Sequence, residues 1–194
     1  MQILRKSALV DVPWKNGGGI TRNIAVANFA ARTAWRLSRA DVAQDGAFSS
    51  FTGLVRILTV VSDAGMVLEH PNGTLDADPW QSVRFGGELD VFARLKDGPL
   101  SDLNLMFDPS LCEGTVSTLR GPLDLETIPP EPGLSAFHVL SGQPKLGDHS
   151  LDLGDTAFIE TATPLHLFKG DAVLDIRLSY LDQSKPITFS IAAR

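Results

Sequence analysis

The segment from residue 13 to residue 22, which reads PWKNGGGITR, holds the densest group of residues suited to chemistry. Asn-Gly between two β-prone stretches predicts a hairpin, but three consecutive glycines exceed what a tight turn needs. The surplus indicates an anion-binding concavity of exposed amides, to which Lys15 adds a positive charge and Asn16 a donor and an acceptor. A plain hairpin with a solvated lysine explains the segment equally well. Its spacing fits neither a P-loop nor a dinucleotide fingerprint.

The alternating segment WRLSRA, residues 35–40, is the second candidate. On a strand, Arg36 and Ser38 share one face and Trp35 lies on the other. A guanidinium binds a carboxylate through two parallel hydrogen bonds, so the Arg36 face is suited to a small acid. A structural salt bridge is the alternative role for Arg36.

A third pattern, LNLM at residues 103–106, places Asn104 and Met106 on one strand face. An asparagine on so apolar a strand needs hydrogen-bond partners, which either the backbone or a ligand supplies. The pattern therefore makes Asn104 a candidate binding residue.

The four histidines do not form a metal motif. A metal-binding β-barrel is expected to offer His-x-His with a carboxylate nearby, and the sequence contains no His-x-His. His138 and His166 fall on predicted strands that could meet, but two nitrogens make a thin ligand set. We predict no metal and no other cofactor.

No catalytic motif is recognisable in the sequence. Cys112 has no histidine near it, and we find no Ser-His-Asp pattern, paired carboxylates or obvious general base.

The elements that position these residues are predicted to be β-strands. The 17 glycines and 12 prolines interrupt the chain at short intervals, and the segments between them are rich in β-branched and aromatic residues. This rhythm is typical of all-β sandwiches and barrels. We predict sixteen strands between Gln2 and Ser179 and no sustained helix, with a short helical turn allowed at Asp102–Met106 and in the C-terminal tail.

An internal resemblance predicts a duplicated fold. Residues 56–95 match residues 137–178 in order, each running from a strand through short hairpins to a longer apolar strand. A repeated antiparallel unit of this size indicates a jelly roll built twice in one chain. The PPEPG segment is the expected linker, and it divides the chain into a pocket-bearing half, 1–128, and a C-terminal half, 129–194, within one body.

Composition narrows the class of partner. The chain has 194 residues, 43% of them hydrophobic, and a net charge of −6, which disfavours nucleic acid, and its apolar runs are too short to cross a membrane. A lone cysteine and the lack of a signal-peptide pattern predict a cytoplasmic protein. The charge is uneven: residues 1–60 hold eight Lys and Arg against three Asp, which predicts cations converging on an anion pocket.

Together, the motifs resemble the HutD/Ves family. The matching segments are PWKNGGGIT (13–21), WRLS (35–38), GAFSSFTGLVRIL (46–58), FGG (85–87) and SDLNLM (101–106). The resemblance implies a bicupin, two fused jelly-roll barrels, in a small bacterial cytoplasmic protein linked to histidine utilisation. It also implies a site without the usual cupin histidine cluster, and N-formyl-glutamate as the suggested ligand.

The leading hypothesis is a metal-free bicupin that binds a small anionic metabolite in its first half. The expected ligand-binding residues are Trp14, Lys15, Asn16, Thr21, Trp35, Arg36, Ser38, Arg56, Asn104 and Met106. The alternatives are a metal-independent isomerase or hydrolase that uses the same pocket, and an oligomeric interaction protein. A homodimer is left open.

Overall fold

Twenty β-strands and one 3-10 turn, at Lys6–Ala8, make up the secondary structure of residues 1–181 and 187–192, the part of the chain that the computed structural model describes. The strands are β1 Gln2–Leu4, β2 Val12–Pro13, β3 Gly19–Phe29, β4 Arg32–Val42, β5 Gly46–Ala47, β6 Val55–Val60, β7 Met66–His70, β8 Gly73–Ala77, β9 Ser82–Gly86, β10 Phe92–Leu95, β11 Leu100–Phe107, β12 Cys112–Arg120, β13 Leu123–Thr127, β14 Gly133–Ser141, β15 Lys145–Leu146, β16 His149–Ser150, β17 Thr156–Ile159, β18 Thr163–Leu167, β19 Ala172–Tyr180 and β20 Thr188–Ile191. The all-β prediction is confirmed.

Three local predictions differ from the structure. The strand expected over Gln2–Val10 ends at Leu4, where the 3-10 turn follows. No helical turn forms at Asp102–Met106, because these residues lie in the middle of β11 and pair with strands on both sides. In the C-terminal tail, β20 is a strand that pairs with β3, and residues 182–186 and 193–194 lie outside the described residues.

The chain divides into two compact units at positions other than those expected. The N-terminal unit holds Val10–Leu111 with Ile187–Ala192, and the C-terminal unit holds Met1–Leu9 with residues 112–181. The division at 1–128 and 129–194 therefore does not match these units: β13 and β14, on either side of the expected PPEPG linker, belong to the same unit. The first nine residues join the C-terminal unit because β1 pairs with β17. Local composition does not predict pairing between strands that are so far apart in the sequence.

The N-terminal unit consists of two open antiparallel sheets. The larger has the order β2-β3-β4-β11-β6-β9 with β20 beside β3, and the smaller has the order β5-β10-β7-β8. One core cluster joins them: Leu58 and Val60 come from the larger sheet, and Met66, Leu68 and Ala93 from the smaller. Burial of each large side chain contributes about 1.5 to 3 kcal/mol to folding. This shared core holds the inner face of the larger sheet toward the smaller one.

The C-terminal unit repeats the arrangement. It contains a five-stranded sheet, β1-β17-β14-β19-β12, and a four-stranded sheet, β13-β18-β15-β16. Its core combines Phe137, Val139 and Val173 from the former with Leu165 and Leu167 from the latter. In the described residues, all four sheets end in edge strands, and none closes on itself.

No helix in the described residues is long and apolar enough to span a membrane.

Candidate functional site

Three neighbouring strands of the N-terminal unit form the floor of a cavity. Strand β11 lies between β4 and β6, and its Met106 pairs with Arg36 on one side and Arg56 on the other. Asn104, two residues earlier, pairs with Ser38. Directly paired residues of antiparallel strands project from the same face, so these side chains share the inner face of the sheet.

The cavity above this floor has a volume of about 450 Å³. Its lining combines cations, amides, hydroxyls and aromatic rings, and all of it comes from the N-terminal unit. The lining residues are Pro13, Trp14, Lys15, Asn16, Thr21, Arg36, Ser38, Ala40, Ala47, Phe48, Ser49, Phe51, Arg56, Asp102, Asn104 and Met106.

Arg56 is the most buried cation of the cavity. Arg56 is only 4% exposed to solvent. The guanidinium carbon lies 5.2 Å from the ring centre of Phe48, 5.6 Å from Phe51 and 5.1 Å from Phe85. Burial lowers the pKa of Arg56 to about 10, with Asp102 opposing and Arg36 reinforcing the shift. The residue remains charged at neutral pH, so the cavity presents a desolvated cation to any ligand.

A chain of hydrogen bonds connects Arg56 to a buried acid. The Arg56 Nη2 group donates to Asn104 Oδ1 at 2.7 Å, and Asn104 Nδ2 in turn donates to Asp102 Oδ1. Asp102 is 1% exposed, and burial raises its pKa to about 7, while the Arg56 cation and the Asn104 hydrogen bond oppose the rise. The other carboxyl oxygen, Oδ2, is buried without a hydrogen-bond partner among the described residues.

The glycine-rich turn forms one rim of the cavity and uses its own amides. Gly17 N donates to Trp14 O at 3.0 Å, and Gly18 N donates to Asn16 Oδ1 at 3.0 Å. The expected anion-binding concavity is therefore wrong for these two amides, because the turn itself occupies them. What the turn supplies is position: Trp14 Nε1 donates to Thr21 Oγ1 at 2.7 Å, and this bond fixes the indole at the cavity wall.

The aromatic wall is held by backbone contacts between distant residues. Phe48 N donates to Val91 O at 2.9 Å, and Phe51 N donates to Gly87 O at 2.7 Å. A Cβ atom at Gly87 would lie 2.4 Å from Phe51 O, so only glycine allows this approach. The segment from Phe48 to Phe51 is thereby set beside Arg56.

The structure brings together nine of the ten predicted ligand-binding residues. Trp14, Lys15, Asn16, Thr21, Arg36, Ser38, Arg56, Asn104 and Met106 all line the cavity. Trp35 does not, because its side chain projects from the opposite face of β4, where it is fully buried with its ring 5.8 Å from that of Phe189. Trp35 supports the sheet from behind.

Seven lining residues were not among the predicted ligand contacts, namely Pro13, Ala40, Ala47, Phe48, Ser49, Phe51 and Asp102. Asp102 and the two phenylalanines contact or face the buried cation Arg56. A signal for Asp102 was present: the alternation that pairs Asn104 with Met106 extends two residues back to it. The two phenylalanines lie outside the regular strands, so strand alternation does not indicate them. Their signal was the GAFSSFTGLVRIL segment, one of those that resemble the HutD/Ves family.

Four other arginines of the first sixty residues, Arg5, Arg22, Arg32 and Arg39, pair with carboxylates that do not line the cavity. Arg5 contacts Asp155 at 2.6 Å, and Arg32 contacts Asp108 at 2.7 Å. Lys15 and Arg36, by contrast, make no ion pair with a carboxylate in residues 1–181 and 187–192; Arg36 Nε donates to Asn23 Oδ1 at 2.8 Å, and burial lowers its pKa. Three cations thus face one acid in the cavity.

The two histidines on predicted strands that could meet, His138 and His166, contact different partners. His138 is buried on β14, where its Nδ1 lies 2.9 Å from Thr156 Oγ1, whereas His166 on β18 contacts Asp124 at 2.7 Å. Across the described ranges, no three His, Cys, Asp or Glu side chains are grouped so that they could hold a metal ion.

The raised pKa of Asp102 makes folding stability depend on pH. The folded protein binds this proton up to about pH 7, whereas the unfolded chain loses it near pH 3.8, so stability falls as pH rises between these values. We expect wild type to lose about 2 kcal/mol of stability between pH 5.5 and 7.5 relative to Asp102→Asn, whose side chain does not ionise. Urea unfolding of both proteins at the two pH values measures the difference, and equal pH slopes would contradict it.

Comparison with known proteins identifies the family. The HutD family profile matches residues 6–174, most of the chain. The chain belongs to the HutD family. The cavity, formed by residues 13–106, lies wholly within the HutD match.

Two curated relatives agree with the HutD assignment. A segment of 112 residues is 37% identical to an uncharacterized 21.2 kDa protein in the hutC 3' region of Pseudomonas putida, and covers 56% of this chain and 59% of the relative. A segment of 106 residues is 37% identical to protein Ves of Citrobacter koseri, and covers 53% and 56%. The matches thus span somewhat more than half the length of each relative.

Solved structures show the same fold. HutD from Pseudomonas fluorescens SBW25 superposes with a TM-score of 0.81 at 27% identity, covering 93% of this chain and 99% of that one. A bacterial pirin from Escherichia coli, at 10% identity, superposes with a TM-score of 0.67 over 90% of this chain and 97% of the pirin. The second likeness concerns the fold alone and marks it as cupin-like.

Proposed function

We propose that the cavity of the N-terminal unit binds a small metabolite that carries at least one carboxylate. The observation that carries the proposal is the convergence of Lys15, Arg36 and Arg56 on one cavity that, among the described residues, is lined by a single acid, Asp102. A cavity of about 450 Å³ is within the range of small-molecule sites and suits one acid of a few carbon atoms.

The arrangement of the cations favours an acid with two polar ends. Arg36 and Arg56 lie on strands that flank β11, so their backbones are about 10 Å apart across the sheet. Arg56 lies on the floor beneath the aromatic rings, whereas Lys15 is exposed at the rim. Ser38 and Asn104 add directional hydrogen-bonding groups between the two arginines, and Trp14 and Met106 supply apolar walls.

N-formyl-glutamate is the ligand that we propose to test first. It carries two carboxylates and a neutral formamide, which match the cations and the amide of the cavity. The family context supports this choice, since one relative is described by its position beside hutC.

We further propose that each unit is one jelly roll of a bicupin. The two facing sheets and the common core of each unit support this proposal. The single, buried cysteine supports a reducing, cytoplasmic location.

Calorimetry tests the proposed binding. We expect N-formyl-L-glutamate to bind the wild-type protein. We expect Arg36→Ala to raise the dissociation constant by about 10- to 100-fold, because a charge-assisted hydrogen bond is lost. Arg32→Ala is the matched control: it removes an arginine of the same strand whose partner is Asp108, and it should leave affinity unchanged. No heat of binding with N-formyl-L-glutamate, L-glutamate or urocanate would contradict the proposal.

A metal-independent enzyme is the second candidate, and one observation favours it. Asp102 lines the cavity with a pKa raised to about 7 by burial, which is the property of a general acid or base at neutral pH. If the enzyme is a hydrolase, water and N-formyl-L-glutamate yield formate and L-glutamate. Formate release that disappears in Asp102→Asn would establish catalysis, and intact ligand after long incubation would leave binding alone.

A further inference from the structure

One oxygen of the cavity has no assigned role. Asn104 has a fixed orientation, because its Oδ1 accepts from Arg56 and its Nδ2 donates to Asp102 Oδ1. Asp102 Oδ2 is left buried without a hydrogen-bond partner in the described part of the chain, on a side chain that lines the cavity. A buried polar atom without a partner costs about 1 to 3 kcal/mol, so a ligand that satisfies it gains affinity.

The groups around Asp102 decide whether it binds a ligand as an acid or as a carboxylate. Arg56 on β6 and Arg39 on β4 favour the carboxylate, as does the Asn104 hydrogen bond, whereas Asp41 on β4 disfavours it. Burial outweighs the favourable groups and raises the pKa to about 7. Lys15 and Arg36 also line the cavity. A ligand carboxylate in the cavity engages these cations and adds a negative charge near Asp102, which shifts the balance further toward the neutral acid.

We propose that Asp102 determines the ligand specificity of this cavity: it binds as the neutral acid and donates its Oδ2 hydroxyl to an oxygen of the ligand, so that binding takes up a proton. The inference rests on the proposed function, since it assumes that the ligand is an acid. It assigns the ligand class as acids that place an oxygen acceptor, and no ammonium group, beside Asp102. An ammonium group cannot accept the hydroxyl proton and meets three cations in the same cavity.

Proton uptake is measured by calorimetry in buffers of different ionisation enthalpy, with glutarate and N-formyl-L-glutamate as probes. At pH 8, where both carboxylates of either probe are ionised, we expect an uptake approaching one proton per bound ligand. At pH 5.5 we expect close to none with N-formyl-L-glutamate, because Asp102 is already protonated and the ligand is still ionised. The dissociation constant should be about tenfold higher at pH 8 than at pH 6, because only about a tenth of the free protein is protonated at Asp102 at pH 8.

Asp102→Asn imitates the neutral acid. Its amide can accept from Asn104 and donate from the Oδ2 position, so we expect binding of both probes to become independent of pH, with the affinity that wild type shows at pH 6. Asp175→Asn is the matched control: Asp175 is a second buried aspartate with a raised pKa, but it lies in the C-terminal unit, and its replacement should leave proton uptake unchanged.

L-glutamate separates the two forms of Asp102, since it differs from glutarate by one ammonium group. We expect L-glutamate to bind at least tenfold more weakly than glutarate at pH 6. Tight binding of a probe with no proton uptake at pH 8, or a preference for L-glutamate that Asp102→Asn removes, would overturn the inference and assign Asp102 as a carboxylate acceptor. Absence of binding by all three probes at every pH would instead contradict the proposed function.

Discussion

Replacement of Arg56 by alanine is expected to weaken binding of N-formyl-L-glutamate by at least 100-fold. Arg56 is 4% exposed and its guanidinium lies beside three aromatic rings, so solvent screens its attraction to a ligand carboxylate only weakly. Truncating one partner of a buried charge pair costs about 2 to 5 kcal/mol, or roughly 30- to several-thousand-fold in affinity. The same change frees Asn104 Oδ1 and leaves Asp102 without its main opposing charge, which raises the pKa of Asp102 further.

Two further variants make the Arg56 result interpretable. Arg56→Lys keeps the charge in a smaller group without the planar fork, and we expect it to fold and to bind about tenfold more weakly than wild type. Arg84→Ala is the matched control, because Arg84 lies on the neighbouring strand β9 and stacks on Phe107 at 5.3 Å. Since Arg84 does not line the cavity, affinity should not change. Calorimetry with circular dichroism melting measures both properties, and a folded Arg56→Ala protein with near-wild-type affinity would refute the role of Arg56.

The floor of the cavity could be predicted from the sequence because strand alternation is a local property. Arg36 and Ser38 on one strand and Asn104 and Met106 on another each follow from period-two spacing, and the structure pairs the strands in register. Trp35 shows the limit of relying on residue type: the same alternation placed it on the opposite face, yet its size made it a plausible cavity wall. Alternation was the sounder guide.

The aromatic wall and the unit boundary could not be predicted, because both depend on contacts between distant residues. Phe51 takes its place through a hydrogen bond to Gly87, and β1 joins the C-terminal unit by pairing with β17. Neither contact has a signature in local composition. The PPEPG segment led to the wrong unit boundary for a related reason. Prolines interrupt a sheet, but such an interruption need not separate two units.

The state of Asp102 also lies beyond local sequence. An aspartate at the start of an alternating apolar segment is ordinary in a sequence, and only the fold shows that its surroundings on β11 neither solvate it nor pair it fully. The pKa of about 7 results from burial that Arg56 and Asn104 do not fully offset. The same residue therefore lowers folding stability as pH rises from about 3.8 to 7, and it provides a hydrogen-bonding group to the cavity, which is a common compromise at binding sites.

Gly19→Ala is expected to destabilise the protein by about 3 kcal/mol and to abolish ligand binding. A Cβ atom at Gly19 would lie 2.4 Å from the carbonyl oxygen of Asp41 and 3.1 Å from the Trp14 ring. The first neighbour is backbone within the paired strands β3 and β4, so it cannot move without disturbing their hydrogen bonds. The indole would have to leave the cavity wall, and Lys15 would move with it.

The glycine run thus serves packing at Gly19 and a left-handed turn at Gly17, whose φ is +72°. Gly46→Ala is the matched control for Gly19→Ala: no atom lies within 4 Å of its added Cβ, and its φ is not in the left-handed region, so stability should change by less than about 0.5 kcal/mol. Urea unfolding and calorimetry with N-formyl-L-glutamate measure both variants. Equal stability of the two would mean that the turn is a flexible hairpin that adapts to a methyl group, and that Trp14 and Lys15 are not held in place by close packing at Gly19.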